Sequence, residues 1–174
     1  MPTDSPKPRL FFFPPQIHPI AARSVAFQVA VSAVVILLFN LPWLLPLLTY
    51  GFVARALLGP RYSPMARLAS GIVAPLADRR ATKRGDRPYR NEPGPSKRFA
   101  QGIGLVFSGF AMAAWLFALP AVAWQAPLGI LFVFASLEAG LGFCAGCWVF
   151  GYLMRWGVIP ADTCMRCRRI NPGA

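Results

Sequence analysis

The chain's four cysteines fall into two Cys-x-x-Cys pairs: Cys144 and Cys147 in "GFCAGC", and Cys164 and Cys167 in "TCMRCRR". Taken together they read C-x2-C-x16-C-x2-C, the spacing of a four-thiolate zinc site. Taken separately, each pair is a dithiol that can alternate between thiol and disulfide or hand sulfur onward. Arg166, Arg168 and Arg169 flank the second pair and favour its thiolate forms, which suits a shuttle or resolving pair for the first. The first pair lies in an apolar stretch and lacks the polar turn of a zinc knuckle, which weighs against metal. A packing role competes with both chemistries: Gly142-x-x-x-Gly146 is a small-residue spacing that lets membrane helices approach, and cysteine is small enough to join such a surface. His18, in "QIHPI", stands far from the cysteines in sequence and reads as an interfacial residue rather than a ligand.

The elements that must position these sulfurs are membrane segments. Of the 174 residues 56% are hydrophobic and 14% charged, and the apolar residues come in long unbroken blocks. Four blocks are long enough to cross a bilayer: 22–40, 41–58, 99–118, and a fourth that starts near Leu128 and runs through the first cysteine pair to about Leu153. Breaks are expected at Asn40-Leu41-Pro42 and Leu119-Pro120, because the residue before a proline resists helical geometry. The expected fold class is all-α integral membrane, with four transmembrane helices as two hairpins joined by a basic cytoplasmic connector. Its parts are an N-terminal segment (1–21), a first hairpin (22–58), the connector (59–98), a second hairpin (99–155) and a cysteine-containing tail (156–174).

Charge orients this plan. The 18 Lys and Arg, against 6 Asp and Glu, all fall at or before Arg23, between Arg55 and Arg98, or from Arg155 onward. The two short turns around Asn40 and Ala121 hold none. Basic loops stay in the cytoplasm, so both termini and the connector are expected there, with anionic headgroups as partner. Placed this way, the net charge of +12 does not call for nucleic acid. No cleavable signal peptide is expected, since the first twenty residues lack a sustained apolar core. Within the connector, residues 63–77 are mildly amphipathic and suit the headgroup layer, and the basic, Pro- and Gly-containing stretch from Asp78 to Arg98 reads as a flexible linker.

Glu138 is the only acid within a span, which makes it a functional candidate. On a straight helix it lies about 120° around from Cys144, about 180° from Cys147 and about 9 Å along the axis. It therefore cannot serve the thiols directly; bonding to another helix, for instance near Gln101 or Ser108, or staying protonated in the bundle fits it better. The same geometry puts Cys144 and Cys147 on one helix face at the inner interface, where thiols stay reduced. With a single intramembrane acid, transport has little support.

The two halves share a short likeness. "GFVARALLG" (51–59) and "GFCAGCWVFG" (142–151) align on Gly-Phe, with Val53 and Ala56 where the second half has Cys144 and Cys147. The thiols then look like an addition to a packing unit. The hairpin layout, "KRFAQGIGLVF" and "GFCAGC" resemble the bacterial integral-membrane family called domain of unknown function 4395, over roughly residues 15–155. The resemblance implies four spans ending in a Gly-Phe-Cys-x-Gly-Cys motif, carried here by Gly142, Phe143, Cys144, Gly146 and Cys147. It also implies an acid directly after the second cysteine, where this chain has Trp148, and leaves Cys164 and Cys167 as an addition. It supplies no activity.

The expected function is dithiol redox or sulfur transfer at the cytoplasmic interface, with Cys144 and Cys147 reactive and Cys164 and Cys167 resolving. A thioredoxin-like or sulfurtransferase partner would serve it. The alternative is a structural or assembly subunit, homo-oligomeric or within a larger membrane complex, whose tail is pinned by zinc on Cys144, Cys147, Cys164 and Cys167. No cofactor besides that zinc is indicated.

Overall fold

The computed structural model describes residues 16–58, 62–84 and 92–158. Among the described residues, three helices are long and apolar enough to cross a membrane, which makes this a membrane protein: α1 (Pro19–Leu38), α5 (Gly94–Leu116) and α6 (Ala121–Leu141). Between them lie a 3₁₀ turn (Pro42–Leu44), α2 (Leu45–Val53) running on into a π-helical turn (Ala54–Leu58), α3 (Pro64–Leu68), a second π-helical turn (Ala69–Val73) and α4 (Ala74–Arg84). A final helix, α7, spans Ala145–Arg155. Two short strands, β1 (Gln16–Ile17) and β2 (Glu92–Pro93), pair antiparallel and tie the start of α1 to the start of α5.

Proline 19 opens α1 with a fixed φ and no N–H to waste. The helix is apolar all round, so residue size sorts its faces. Ala21, Ala26, Ala30 and Ala33 turn inward with Val25, Val29 and Ile36, while Phe27, Val31 and Leu38 stay exposed. Small residues inside let helices approach closely, and large apolar ones outside suit lipid. The expected breaks occur where prolines sit. Asn40 takes a left-handed conformation (φ 50°) ahead of Pro42, and Ala118 does the same (φ 51°) ahead of Pro120. Pro127, however, lies inside α6 rather than before it. It removes one backbone hydrogen bond, a loss membrane helices tolerate when neighbours pack around them.

The packing partners cross between halves. Helix α1 packs chiefly on α6, and α2 chiefly on α5, while α5 also contacts α6 and α7. Each helix of the first half thus finds its main partner in the second half. Thr49 Oγ1 donates to the Ser108 carbonyl at 3.2 Å, and the Phe52 ring lies so close to Gly104 that a Cβ there would collide with it. The core between them holds Ile36, Leu45, Leu48, Phe52 and Leu128.

Three expectations need correction. The stretch from Asp78 is not a linker throughout: residues 78–84 are helical in α4, and α5 already begins at Gly94, five residues before the expected Phe99. Residues 64–84 form a near-continuous helical run whose Ala66, Ala69 and Ala74 pack on Ala21 and Val25 of α1. Its opposite side exposes Leu68, Ile72 and Leu76, an apolar stripe at helical spacing. The third correction is the largest. The last apolar block is not one helix through the cysteines, because α6 ends at Leu141 and α7 starts afresh at Ala145.

Candidate functional site

The break between α6 and α7 is built by Gly142. It adopts φ +71°, its N–H bonds the Glu138 carbonyl at 3.0 Å, and the Phe143 N–H reaches back to the Leu137 carbonyl at 3.4 Å. This left-handed ending satisfies carbonyls that a helix terminus leaves orphaned. A Cβ at Gly142 would also meet the Arg23 guanidinium. Gly146 is constrained differently, because a Cβ there would lie 2.6 Å from the Ala100 Cβ. Its bareness lets the first turn of α7 rest on α5, with Phe150 of α7 against Phe99 of α5 at 5.5 Å between ring centroids. The two glycines therefore do not form a GxxxG face: one turns the chain and the other admits a close contact.

Cys144 is the N-cap of α7, not a residue within a helix. Its sulfur accepts from the Cys147 backbone N–H at 3.4 Å. The two side chains therefore meet across a helix start, where the exposed N–H groups and the helix dipole favour negative charge. The thiols also hydrogen-bond each other. That bond holds Cys147 below the usual thiol range; burial opposes it, while the Lys97 ammonium and the Ser96 hydroxyl assist it. The same bond pushes Cys144 above the usual range, with burial next and then the Glu138 carboxylate adding to it. The two thiols accordingly titrate as a pair, the first proton leaving more readily than the second.

Glu138 does bond to another helix, as expected, but its partner is neither Gln101 nor Ser108. Lys97 Nζ on α5 donates to Glu138 Oε1 at 2.5 Å, with the two side chains 6% and 16% exposed. The turn at Gly142 interrupts the straight helix on which Glu138 would face away from the thiols, and Glu138 and Cys144 line one cavity. Gln101 instead accepts from Arg55 Nε at 2.8 Å. Arg55 is 3% exposed, donates from Nη1 to Ser63 Oγ at 3.3 Å and lies over the Phe52 ring at 4.6 Å.

Arg55 and Lys97 are the residues that sequence reading missed. Arg55 lies at the end of the expected first hairpin and Lys97 at the end of the expected connector, yet both are buried inside the bundle. The signal for Arg55 was present: it interrupts "LLTYGFVARALLG" with apolar residues on both sides. A lone cation in such a run needs a partner. Lys97 carried no comparable signal, because it adjoins Arg98 at the end of a basic stretch. The π-helical turn at Ala54–Leu58 marks the same place, as such turns often do at functional positions.

A cavity of about 70 Å³ lies beside these groups, between α1, α2, α5, α6 and the start of α7. Glu138, Gln101 and Cys144 give it a polar end, and Val29, Phe52 and Leu131 are among its apolar walls. His18 bonds Asp78 through Nε2 at 3.0 Å, away from the cysteines. Cys164 and Cys167 fall outside the described residues. Among the described residues, no group of three His, Cys, Asp or Glu side chains is placed to hold a metal ion.

The repeat suggested by the two Gly-Phe matches has no counterpart in backbone. Gly51 and Phe52 lie mid-helix in α2, whereas Gly142 and Phe143 lie in the link between α6 and α7. Residues 17–155 match the family model described as Domain of unknown function (DUF4395). No curated protein and no solved structure matches the chain.

Proposed function

We propose that this chain, which belongs to the DUF4395 family, is a membrane-embedded dithiol protein. In this reading Cys144 and Cys147 exchange electrons or sulfur with a partner at the membrane surface. One observation carries it: two cysteines at the N-terminus of α7, the Cys147 backbone N–H donating to the Cys144 sulfur, with the Lys97–Glu138 ion pair nearby. In the exchange, the Cys147 thiolate attacks one sulfur of a partner disulfide and expels the partner's other sulfur as thiolate. Cys144 then attacks the Cys147 sulfur and expels the second partner thiolate. Two electrons pass to the partner, which leaves as a dithiol, and Cys144 and Cys147 are left as a disulfide.

The arrangement fits a four-span protein in a bacterial inner membrane, with residues 42–58 as the remaining span and both termini on the cytoplasmic side. The basic N-terminus of α1, the end of the 42–58 segment, the start of α5 and the end of α6 would then share that side. The dithiol would sit at the inner interface, and the exposed ladder Trp148, Tyr152 and Trp156 of α7 suits the headgroup layer there. Anionic headgroups would meet Arg79, Arg80 and Lys83 on α4. Cys164 and Cys167 would act as the resolving pair, and a thioredoxin-like or sulfurtransferase protein would be the soluble partner.

The test is a redox titration of the full chain in lipid vesicles, with thiols counted by mass-tagged alkylation. One Cys144–Cys147 disulfide forming reversibly supports the reading; a pair that stays reduced at every poise sinks it. The zinc reading retains one specific support, because an amide donating to a cysteine sulfur three residues back also preorganises thiolates for metal. It requires Cys164 and Cys167 as further ligands. About one zinc per chain, lost on Cys164→Ser, would favour it over exchange chemistry.

A further inference from the structure

The cavity bounded by Cys144, Glu138 and Gln101 is distinct in size from what a membrane electron carrier needs. Each water in the liquid occupies about 30 Å³, and an apolar cavity of about 150 Å³ is what accommodates a benzene ring. At about 70 Å³ this one is roughly half that size, with room for a group of a few atoms rather than a whole ring. Its walls are mostly apolar, with hydrogen-bonding groups only at the Cys144 end. A neutral, polarisable group of one or two atoms fits both the volume and the lining. Sulfur is such an atom.

We infer that the cavity is a sulfur-holding site: it receives one sulfane sulfur attached to Cys144 as a persulfide. This rests on the dithiol reading above and names its substrate class, a low-molecular-weight or protein persulfide. The Cys147 thiolate attacks the outer sulfur of the donor R–S–S–H; the donor's S–S bond breaks, R–S⁻ leaves, and Cys147 carries S–S–H. The Cys144 sulfur then bonds that outer sulfur as its own proton passes to Cys147 across the thiol–thiol hydrogen bond. The product is Cys144–S–S–H and a Cys147 thiol, with no net oxidation. The added S–H then lies in the cavity, where Glu138 and Gln101 offer acceptors. Cys147, which is not part of the cavity lining, is the loading position, and Cys144 is the storage position.

The experiment treats the full chain in lipid vesicles with inorganic polysulfide, then locates the one-sulfur adduct by alkylation and peptide mass spectrometry. The expected result is an adduct on Cys144 in the parent chain. In Ala135→Leu, which adds three carbons to the cavity wall, the adduct should shift to Cys147. A parent adduct confined to Cys147, or an adduct on Cys144 that Ala135→Leu leaves in place, overturns the inference. The parent result decides even if the variant misfolds. A separate arm oxidises the parent with diamide. If the Cys144–Cys147 disulfide forms there while no sulfur reaches Cys144, the storage site is wrong and dithiol exchange stands. If no disulfide forms either, both readings fall.

Discussion

Removing either member of the Lys97–Glu138 pair alone should cost far more than removing both. Two unit charges 2.5 Å apart attract by about 7 kcal/mol at an effective dielectric constant of ~20. Desolvation costs several kcal/mol per ion, so the gain and the cost nearly cancel for the intact pair. A single removal leaves the desolvation of the survivor uncompensated. Lys97→Met and Glu138→Leu should therefore each lower the unfolding free energy by about 3–5 kcal/mol. The double variant fills the same space with apolar atoms and should lie within about 1 kcal/mol of the parent. Equilibrium unfolding in mixed detergent micelles, followed by tryptophan fluorescence, measures all four corners of the cycle. Losses that simply add in the double variant would refute the argument, since additivity means the two side chains do not compensate each other.

Three further outcomes follow from the same geometry. Because the hydrogen bond from Cys144 is the leading cause that lowers Cys147, Cys144→Ala should shift the onset of Cys147 alkylation to higher pH; because the bond to Cys147 is the leading cause that raises Cys144, Cys147→Ala should shift Cys144 to lower pH. Rates of iodoacetamide labelling against pH check both signs. Gly142→Ala should destabilise the chain by about 1–2 kcal/mol through its left-handed backbone alone, and by more through the Arg23 contact, so adding Arg23→Ala should recover only the second part in the same unfolding assay. Gly146→Leu should lift α7 off Ala100 and Phe99, and labelling of Cys147 near neutral pH should slow to that of an ordinary thiol.

The membrane helices were legible in the sequence because apolar blocks and prolines are local signals. Asn40 and Ala118 turn where Pro42 and Pro120 require it. The break before the cysteines was missed for a physical reason that the same count exposes. A span that starts near Leu128 carries the cysteines within its own length. Started at Ala121 instead, 21 residues reach Leu141 and already span about 30 Å, a full hydrocarbon core. Gly142 then falls where a helix terminus is needed, and the cysteines fall past it. The angles between Glu138 and the cysteines likewise hold only along one straight helix, which Gly142 interrupts.

Arg55 and Lys97 were missed because their burial depends on partners that are distant in sequence. Gln101 lies 46 residues from Arg55, and Glu138 lies 41 residues from Lys97. Hydropathy counts a cation as the end of a span, and only the pairing of α2 with α5 and of α5 with α6 turns these two inward. The dithiol sits at that junction. Its backbone comes from the α6–α7 turn, the Lys97 and Ser96 groups that act on Cys147 from α5, the acid from α6, and the cavity beside Cys144 from α1, α2, α5 and α6. Neither half can assemble this alone, so a substitution that separates the halves, at Gly104 against Phe52 for instance, should disturb thiol reactivity without touching a cysteine.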